Sequence, residues 1–156
     1  MSIYREKLWP AWWLYVATAL VIPASLLVFV PINFATGVVV AIVLYLGCVA
    51  ALILGSPVIE VTKRDFRAGR ATLPIEATGR ATAYRDDDAR LQRGQQLDAR
   101  AWLMIRGWVS HVVTVEVRDA EDPTPYWLIS TRKPEVLAAA IAEARTSHYT
   151  PPLSGE

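Results

Sequence analysis

The feature that most constrains this sequence is a long segment without charge. No Asp, Glu, Lys or Arg occurs between Lys7 and Glu60. The hydrocarbon core of a bilayer is about 30 Å thick, and a helix needs roughly 20 apolar residues to cross it. The segment is too long for one crossing and suits two. It therefore predicts a membrane α-helical hairpin.

A turn signal divides this segment near its middle. Pro31, Asn33 and Gly37 lie close together, and all three residue types favour a turn. We therefore expect a cytoplasmic N-terminus over residues 1–11, a first span over 12–30, an external loop over 31–37 and a second span over 38–56.

Basic residues flank both spans. Arg5 and Lys7 precede the first span, and Lys63 and Arg64 follow the second, whereas the loop has no charge. Because positively charged flanks stay in the cytoplasm, both termini are expected there. The sequence therefore predicts a multi-pass protein of the cell membrane.

Small residues recur along one side of the second span. Gly47, Ala51 and Gly55 are spaced by four residues, a pattern that lets helices approach closely. Two interpretations are open. The stripe packs within the hairpin, or it packs against another copy of the chain or another protein.

After the second span the chain changes to short alternating segments. The clearest one places Val113, Val115 and Val117 on one face and polar residues on the other, as in a half-buried strand. Candidate strands occupy residues 58–62, 66–70, 72–75, 79–84, 102–106, 113–117 and 126–131. Together with a final helix they predict a cytoplasmic domain over residues 57–145.

The final helix is amphipathic. Pro134 suits its first turn, and residues of one face are apolar at helical spacing. Residues 146–156 contain two prolines and a glycine and are predicted to be disordered. This element order predicts a small α+β domain, a pleckstrin-homology-like β-barrel or sheet capped by the C-terminal helix. An SH3-like or other small α+β barrel is the alternative.

Three segments carry a resemblance to a known family. They are residues 4–13 (YREKLWPAWW), 67–74 (RAGRATLP) and 122–135 (DPTPYWLISTRKPE). These segments resemble the bacterial family called domain of unknown function 3093, over about residues 3 to 145. The resemblance implies a small membrane protein with two N-terminal spans. It supplies no activity, cofactor or catalytic residue.

Patterns for catalysis or metal binding are weak. Asp86, Asp87 and Asp88 are adjacent, whereas calcium loops need spaced ligands, so we interpret the run as a helix cap at Asp88 or a solvated loop. His111 and His148 lack neighbours at metal-ligand spacing. We expect no catalytic residue, no cofactor and no metal site. A net charge of +1 gives no basic footprint for nucleic acid.

A basic segment follows the second span. Residues 60–85 carry six basic and three acidic side chains. Arg67, Arg70 and Arg80 are candidates for contact with anionic lipid headgroups, which attract basic residues near the membrane surface. The alternative is that these charges only set the topology.

A proline-rich loop is the second candidate surface. A stiff loop with aromatic residues loses little entropy when it binds a partner. Alternatively, Trp127 belongs to the core and the prolines shape a turn. The predicted contact residues are Asp122, Pro123, Pro125, Tyr126 and Trp127.

Together these features predict a non-enzymatic, membrane-anchored scaffold or accessory subunit. We expect its β domain to bind a protein partner or anionic lipid headgroups, and its partners to be membrane lipids with a protein partner or a second copy. The alternative is a small enzyme or a subunit of a transporter complex that acts on lipid or envelope material.

Overall fold

The apolar segment is inserted in the sequence of the domain that the rest of the chain forms. The computed structural model of the chain describes residues 2–148. The chain divides into two units, one built from Met1–Leu8 with Pro57–Glu156 and the other from Trp9–Ser56. The second unit is therefore an insertion between two parts of the first.

The inserted unit is a helical hairpin. α1 (Trp12–Ala19) and α2 (Val21–Phe29) form its first arm, and α3 (Phe34–Leu54) forms the second. Both arms are long and apolar enough to cross a membrane. The first arm is interrupted at Leu20, where Pro23 has no N–H to donate to the carbonyl four residues before it.

The loop of the hairpin is shorter than predicted. The Oδ1 of Asn33 accepts a hydrogen bond from the backbone N–H of Thr36 at 3.2 Å and caps α3. Because a side-chain cap fixes where a helix begins, α3 starts at Phe34, inside the predicted external loop 31–37. It ends at Leu54, before the predicted end of the second span.

Small residues let the two arms pack closely. Ser25 in α2 is buried, as are Gly37 and Ala41 in α3. A Cβ at position 37 would lie 3.0 Å from the Cβ of Phe29. A side chain at position 37 would therefore push Phe29 away, and glycine allows α2 and α3 to approach closely at this point.

The predicted small-residue stripe lies elsewhere on α3. A Cβ at Gly47 would meet nothing within 4 Å, and Ala51 and Gly55 are exposed. The hairpin therefore does not pack through this stripe. Packing of the stripe against a second copy or another protein stays a prediction.

The N-terminal residues form the first strand of sheet A, a four-stranded antiparallel sheet. In spatial order its strands are β1 (Ser2–Lys7), β2 (Val58–Thr62), β3 (Asp65–Ala68) and β4 (Ala71–Pro74). Leu8 donates its backbone N–H to the carbonyl of Pro57 at 3.0 Å, beside the last β1–β2 pair. The prediction of a separate N-terminus over 1–11 and a domain starting at residue 57 is corrected, because β1 completes the domain.

Sheet B is built from the rest of the chain. In spatial order its strands are β5 (Thr78–Tyr84), β7 (Val112–Val117), β8 (Tyr126–Ser130) and β6 (Trp102–Met104). β5 and β8 each pair antiparallel with β7, whereas β6 pairs parallel with β8. The ends of these strands lie within two residues of the predicted segments.

One hydrophobic core joins the two sheets to α5 (Pro134–His148). α5 packs against β1 and β2 of sheet A and against β5 and β7 of sheet B. The rings of Phe66 in sheet A and Trp127 in sheet B lie 5.8 Å apart. The core includes Ile59, Val61, Phe66 and Leu73 of sheet A, Val113, Val115, Trp127 and Ile129 of sheet B, and Leu137, Ala140, Ile141 and Ala144 of α5.

The two sheets do not close into a barrel. In the described part of the chain, a short 3-10 helix, Ile75–Ala77, joins β4 to β5, and each sheet keeps two edge strands, β1 and β4 in sheet A and β5 and β6 in sheet B. The predicted small α+β domain with a C-terminal helix is confirmed, whereas the closed pleckstrin-homology-like barrel is not.

α5 is longer than the predicted domain boundary at residue 145. It begins at Pro134, as expected, and continues to His148. Residues 146–148 are therefore helical rather than disordered. The prediction of disorder for residues 149–156 falls outside the described residues.

The other face of sheet B carries a smaller hydrophobic cluster. α4 (Asp86–Arg93) covers it through Ala89, which packs with Val112 and Leu128. The predicted cap at Asp88 is wrong, because α4 begins at Asp86 with no side-chain cap bond. The three aspartates occupy its first turn, where the helix dipole favours negative charge.

The position of β1 predicts that residues 2–7 belong to the folding unit. The joined domain is a variant in which the dipeptide Asn-Gly replaces residues 9–56 and links Leu8 directly to Pro57. Asn-Gly is a two-residue turn that suits a β-hairpin. We expect this joined domain to unfold cooperatively on heating, measured by circular dichroism. Deleting residues 2–7 should abolish the transition, because β2 and α5 lose a packing partner. An unchanged transition would show that the domain starts at residue 57.

Candidate functional site

The outward face of sheet A carries charges of both signs. Strand alternation turns Ile59, Val61 and Phe66 into the core, so their neighbours in sequence face outward. The register places Arg5 beside Glu60, Glu60 beside Arg67, and Arg67 beside Thr72. A row of polar side chains therefore crosses all four strands.

Part of this face forms a cleft, named the outer cleft. Its volume is ≈ 160 Å³, and it is lined by Glu60, Thr62, Asp65, Arg67 and Thr72. The Thr62 hydroxyl accepts hydrogen bonds from the backbone N–H groups of Arg64 and Asp65, at 3.3 and 2.9 Å. These bonds fix the turn between β2 and β3 that forms one end of the cleft.

Within residues 2–148, the charged groups of the outer cleft have no ionic partner. Glu60 and Arg67 occupy adjacent strands, yet among the ion pairs of residues 2–148 none includes Glu60, Asp65 or Arg67. Arg67 and Asp65 are exposed, and Glu60 is half-buried. These groups are therefore available to a ligand.

Two of the three predicted headgroup residues lie on sheet A. Arg67 is in β3, and Arg70 follows Gly69 in the turn between β3 and β4. Gly69 has φ +60, a conformation that glycine adopts without strain, and its N–H donates to the carbonyl of Val58 at 2.8 Å. This bond holds Arg70 at the end of the sheet where β2 begins.

The third predicted residue lies on the other sheet. Arg80 is in β5, and its backbone N–H donates to Oε2 of Glu116 at 3.1 Å. The structure therefore brings Arg67 and Arg70 to one sheet and leaves Arg80 apart from them.

The predicted partner loop separates into an exposed tip and a buried base. Pro123 is exposed, and Asp122 accepts a hydrogen bond from the backbone N–H of Thr124 at 2.9 Å. Hydrogen bonding by the side chain of Thr124, and then by its backbone, lowers the pKa of Asp122. Trp127 is 6% exposed and its ring stacks 4.4 Å from that of Trp102. Trp127 thus belongs to the core, as the alternative interpretation held.

Tyr126 and Pro125 are half-buried at the base of this loop. The Tyr126 hydroxyl accepts a hydrogen bond from the backbone N–H of Asp98 at 2.9 Å. Tyr126 therefore fastens the segment that follows α4. Of the predicted contact residues, Pro123 is exposed at the loop tip and Asp122 beside it is half-buried.

An exposed ion pair fastens the beginning of α5. Arg85 and Glu135 are joined by two hydrogen bonds, which lower the pKa of Glu135 to about 2. His111 adds a smaller electrostatic contribution, and its Nδ1 is buried without a hydrogen-bond partner. Because the ion pair is exposed, it contributes little to stability.

Residues 2–148 contain no group of three His, Cys, Asp or Glu side chains placed to hold a metal ion.

A second cavity, of ≈ 240 Å³, lies near the end of α5. It is lined by Ile75, Glu76, Arg145 and His148. Nη1 of Arg145 donates to the carbonyl of Gly79 at 3.0 Å. This guanidinium therefore holds α5 to β5, and the outer cleft is the stronger candidate site.

A polar network connects β1 to the start of α5. Oε2 of Glu6 accepts hydrogen bonds from the hydroxyls of Tyr4 at 2.7 Å and Thr131 at 2.5 Å, and Oε1 accepts one from the backbone N–H of Arg132 at 3.0 Å. Burial and the hydrogen bond to Glu6 raise the pKa of the Tyr4 phenol. The Glu6 network joins residues separated by most of the chain.

This network brings together two of the segments that carry the family resemblance. Glu6 belongs to the first segment, residues 4–13, and Thr131 belongs to the last, residues 122–135. The model of a family described as "Protein of unknown function (DUF3093)" matches residues 3–141. The chain belongs to the DUF3093 family. No curated protein and no solved structure matches it.

The functional candidates that sequence reasoning missed are acidic. In this DUF3093 chain, Glu6 faces the core side of sheet A, while Glu60 and Asp65 line the outer cleft. The alternation of β2 and β3 was a signal that Glu60 and Arg67 face the same way. Only the register shows that they are neighbours.

The Glu6 network predicts a stability cost that a surface change does not share. In the joined domain, Glu6→Ala leaves the hydroxyls of Tyr4 and Thr131 without their acceptor. We expect the free energy of unfolding to fall by about 1–3 kcal/mol. Urea denaturation, followed by the fluorescence of Trp102, Trp108 and Trp127, measures this free energy. The matched control is Arg5→Ala on the outward face, expected to change stability by less than ~0.5 kcal/mol. Equal effects would refute a special role for Glu6.

Proposed function

We propose that this protein is a non-enzymatic, membrane-anchored protein whose cytoplasmic β domain binds lipid headgroups. The helical hairpin is the anchor, and the outward face of sheet A is the binding surface. The observation that carries the proposal is the placement of Arg5, Lys7, Arg67 and Arg70 on or beside this face, in a sheet whose strands β1 and β2 adjoin the hairpin in sequence.

Exposed apolar side chains support the membrane location of the hairpin. Of the 20 large hydrophobic residues that are exposed in the described part of the chain, 17 lie between Trp9 and Leu54. Such a concentration on a water-soluble monomer would be unfavourable, and bilayer hydrocarbon is the surrounding that suits it.

The pairing of β1 with β2 supports two crossings. Leu8 and Pro57 are held together by a 3.0 Å hydrogen bond, so both ends of the hairpin lie on the same side of any membrane it enters. Basic residues precede the first arm of the hairpin and follow the second, and the tip of the hairpin carries no charge. The positive-inside rule then places the β domain in the cytoplasm.

This topology predicts a labelling pattern. In a Cys48→Ala background, Asn33→Cys places a thiol at the hairpin tip and Glu143→Cys places one on exposed α5. An impermeant maleimide added to intact cells should label position 33 and should label position 143 only after permeabilisation. The reverse pattern would place the β domain outside the cell and refute the orientation.

A short connection joins the hairpin to sheet A. Glu60 follows the last residue of α3, Leu54, by six positions, and an extended chain spans at most about 3.6 Å per residue. Anionic headgroups attract each Lys or Arg near the surface by about 1 kcal/mol. The short connection therefore tethers Arg67 and Arg70 to the proposed membrane anchor, which favours their contact with headgroups.

Headgroup binding predicts different effects from equal losses of charge. For the joined domain, Arg67→Gln with Arg70→Gln should weaken binding to phosphatidylglycerol vesicles roughly 30-fold. Arg80→Gln with Arg90→Gln, away from sheet A, should weaken it much less. Co-sedimentation measures both, and added salt should release the wild type because it screens surface charge. Equal weakening by both pairs would refute a specific binding surface on sheet A, and no binding at low salt would favour a protein partner at the loop of residues 119–127 instead.

A further inference from the structure

We propose that the outer cleft binds a phosphoethanolamine group, a ligand with one phosphate and one ammonium. Glu60 and Asp65 accept hydrogen bonds from the ammonium, and Arg67 with Thr72 donates to the phosphate. This inference rests on the proposed function in one respect, since it names the headgroup that the lipid-binding face selects.

The charges of the cleft point to a ligand that carries both signs. Its lining contains two carboxylates, Glu60 and Asp65, and one guanidinium, Arg67. Inside the cleft a purely anionic group would meet two carboxylates as well as one guanidinium, so the cleft itself favours a zwitterion over the anions that the basic residues of the face attract at the membrane surface. A purely cationic ligand would leave the planar fork of Arg67 unused, although that fork suits phosphate oxygens. A zwitterion satisfies all three groups.

The register sets the spacing of the two charges. Arg67 and Glu60 are direct cross-strand neighbours, so their Cα atoms are about 5 Å apart. Asp65 lies two residues from Arg67 on the same face of β3, about 7 Å along the strand. Flexible side chains from these positions reach the two poles of a group whose phosphate and ammonium are separated by two carbons.

The remaining cleft residues complete the polar surroundings. Thr72 lies beside Arg67 on β4, and within residues 2–148 its hydroxyl has no hydrogen bond to another protein group, which leaves it free to donate to a phosphate oxygen. The Thr62 hydroxyl is already engaged with the turn. The cleft volume of ≈ 160 Å³ suits one small headgroup and leaves no room for acyl chains.

The same chemistry has two sources, a phosphatidylethanolamine headgroup or free phosphoethanolamine. The full-length protein in detergent is exposed to equimolar phosphatidylethanolamine and phosphatidylglycerol, and native mass spectrometry counts the lipids retained. We expect the wild type to prefer phosphatidylethanolamine. Glu60→Gln with Asp65→Asn should reduce this preference about tenfold, the effect of losing charged hydrogen bonds.

The sign of this change separates recognition from general electrostatics. If the outward face attracts only anions, the wild type shows no preference for phosphatidylethanolamine. Removing two negative charges then strengthens phosphatidylglycerol binding. Glu76→Gln with Glu143→Gln removes the same charge outside the cleft and is the matched control. Circular dichroism verifies that each variant melts like the wild type, and the single change Glu60→Gln replaces the double variant if that one does not. An ethanolamine preference that survives the cleft substitutions overturns the proposal.

A second arm identifies the source of the ligand. The full-length protein in nanodiscs of phosphatidylglycerol is titrated with soluble phosphoethanolamine and, as control, glycerol 3-phosphate, by saturation-transfer NMR. Signals from phosphoethanolamine alone support a soluble ligand, and no signal together with the lipid preference supports a membrane headgroup. Equal signals from both ligands overturn recognition of the ammonium.

Failure of this inference and failure of the proposed function give different results. If Arg67 and Arg70 govern vesicle binding while no ethanolamine preference exists, the headgroup function stands and the cleft proposal fails. If phosphoethanolamine binds the cleft while vesicle binding ignores these arginines, the cleft proposal stands and the membrane-binding function fails.

Discussion

The pairing of β1 with β2 is the constraint on which the other parts of this structure depend. The bond between Leu8 and Pro57 closes an antiparallel pair whose two strands are separated in sequence by the whole hairpin. It gives sheet A its edge strand, brings Glu6 to Thr131, and adds Arg5 to the outward row. A loop of this length makes closure entropically costly, so the contacts of β1 must offset that cost.

Strand alternation links the core to the candidate site. In β3, Phe66 faces Trp127 across the core, while Arg67 faces the outer cleft. A shift of one residue in the register would exchange these two side chains and bury the guanidinium. The contact between the aromatic rings therefore also determines where the charge of Arg67 lies. The stability of the core and the geometry of the site are set by the same pairing.

Local pattern predicted those elements whose burial repeats with a regular period. The valines of β7 and the apolar face of α5 are such cases, and both were found. β1 was missed because Arg5, Glu6 and Lys7 give it no apolar alternation, and its partner lies beyond the hairpin. Glu6 faces inward because Thr131 and Arg132 satisfy its carboxylate, which a local pattern cannot reveal. Arg67 was identified from charge alone, whereas its acidic neighbours needed the register.

The insertion of the hairpin within sheet A has a consequence for how the protein is made. β1 leaves the ribosome before the hairpin and has no partner until both helices and β2 have been synthesised. Under the proposed topology, a chain in which only one helix enters the bilayer holds β1 and β2 on opposite sides of the membrane. Sheet A then cannot form, and β2 keeps an open edge that attracts other strands. Under the proposed topology, completion of the β domain therefore depends on the insertion of both helices.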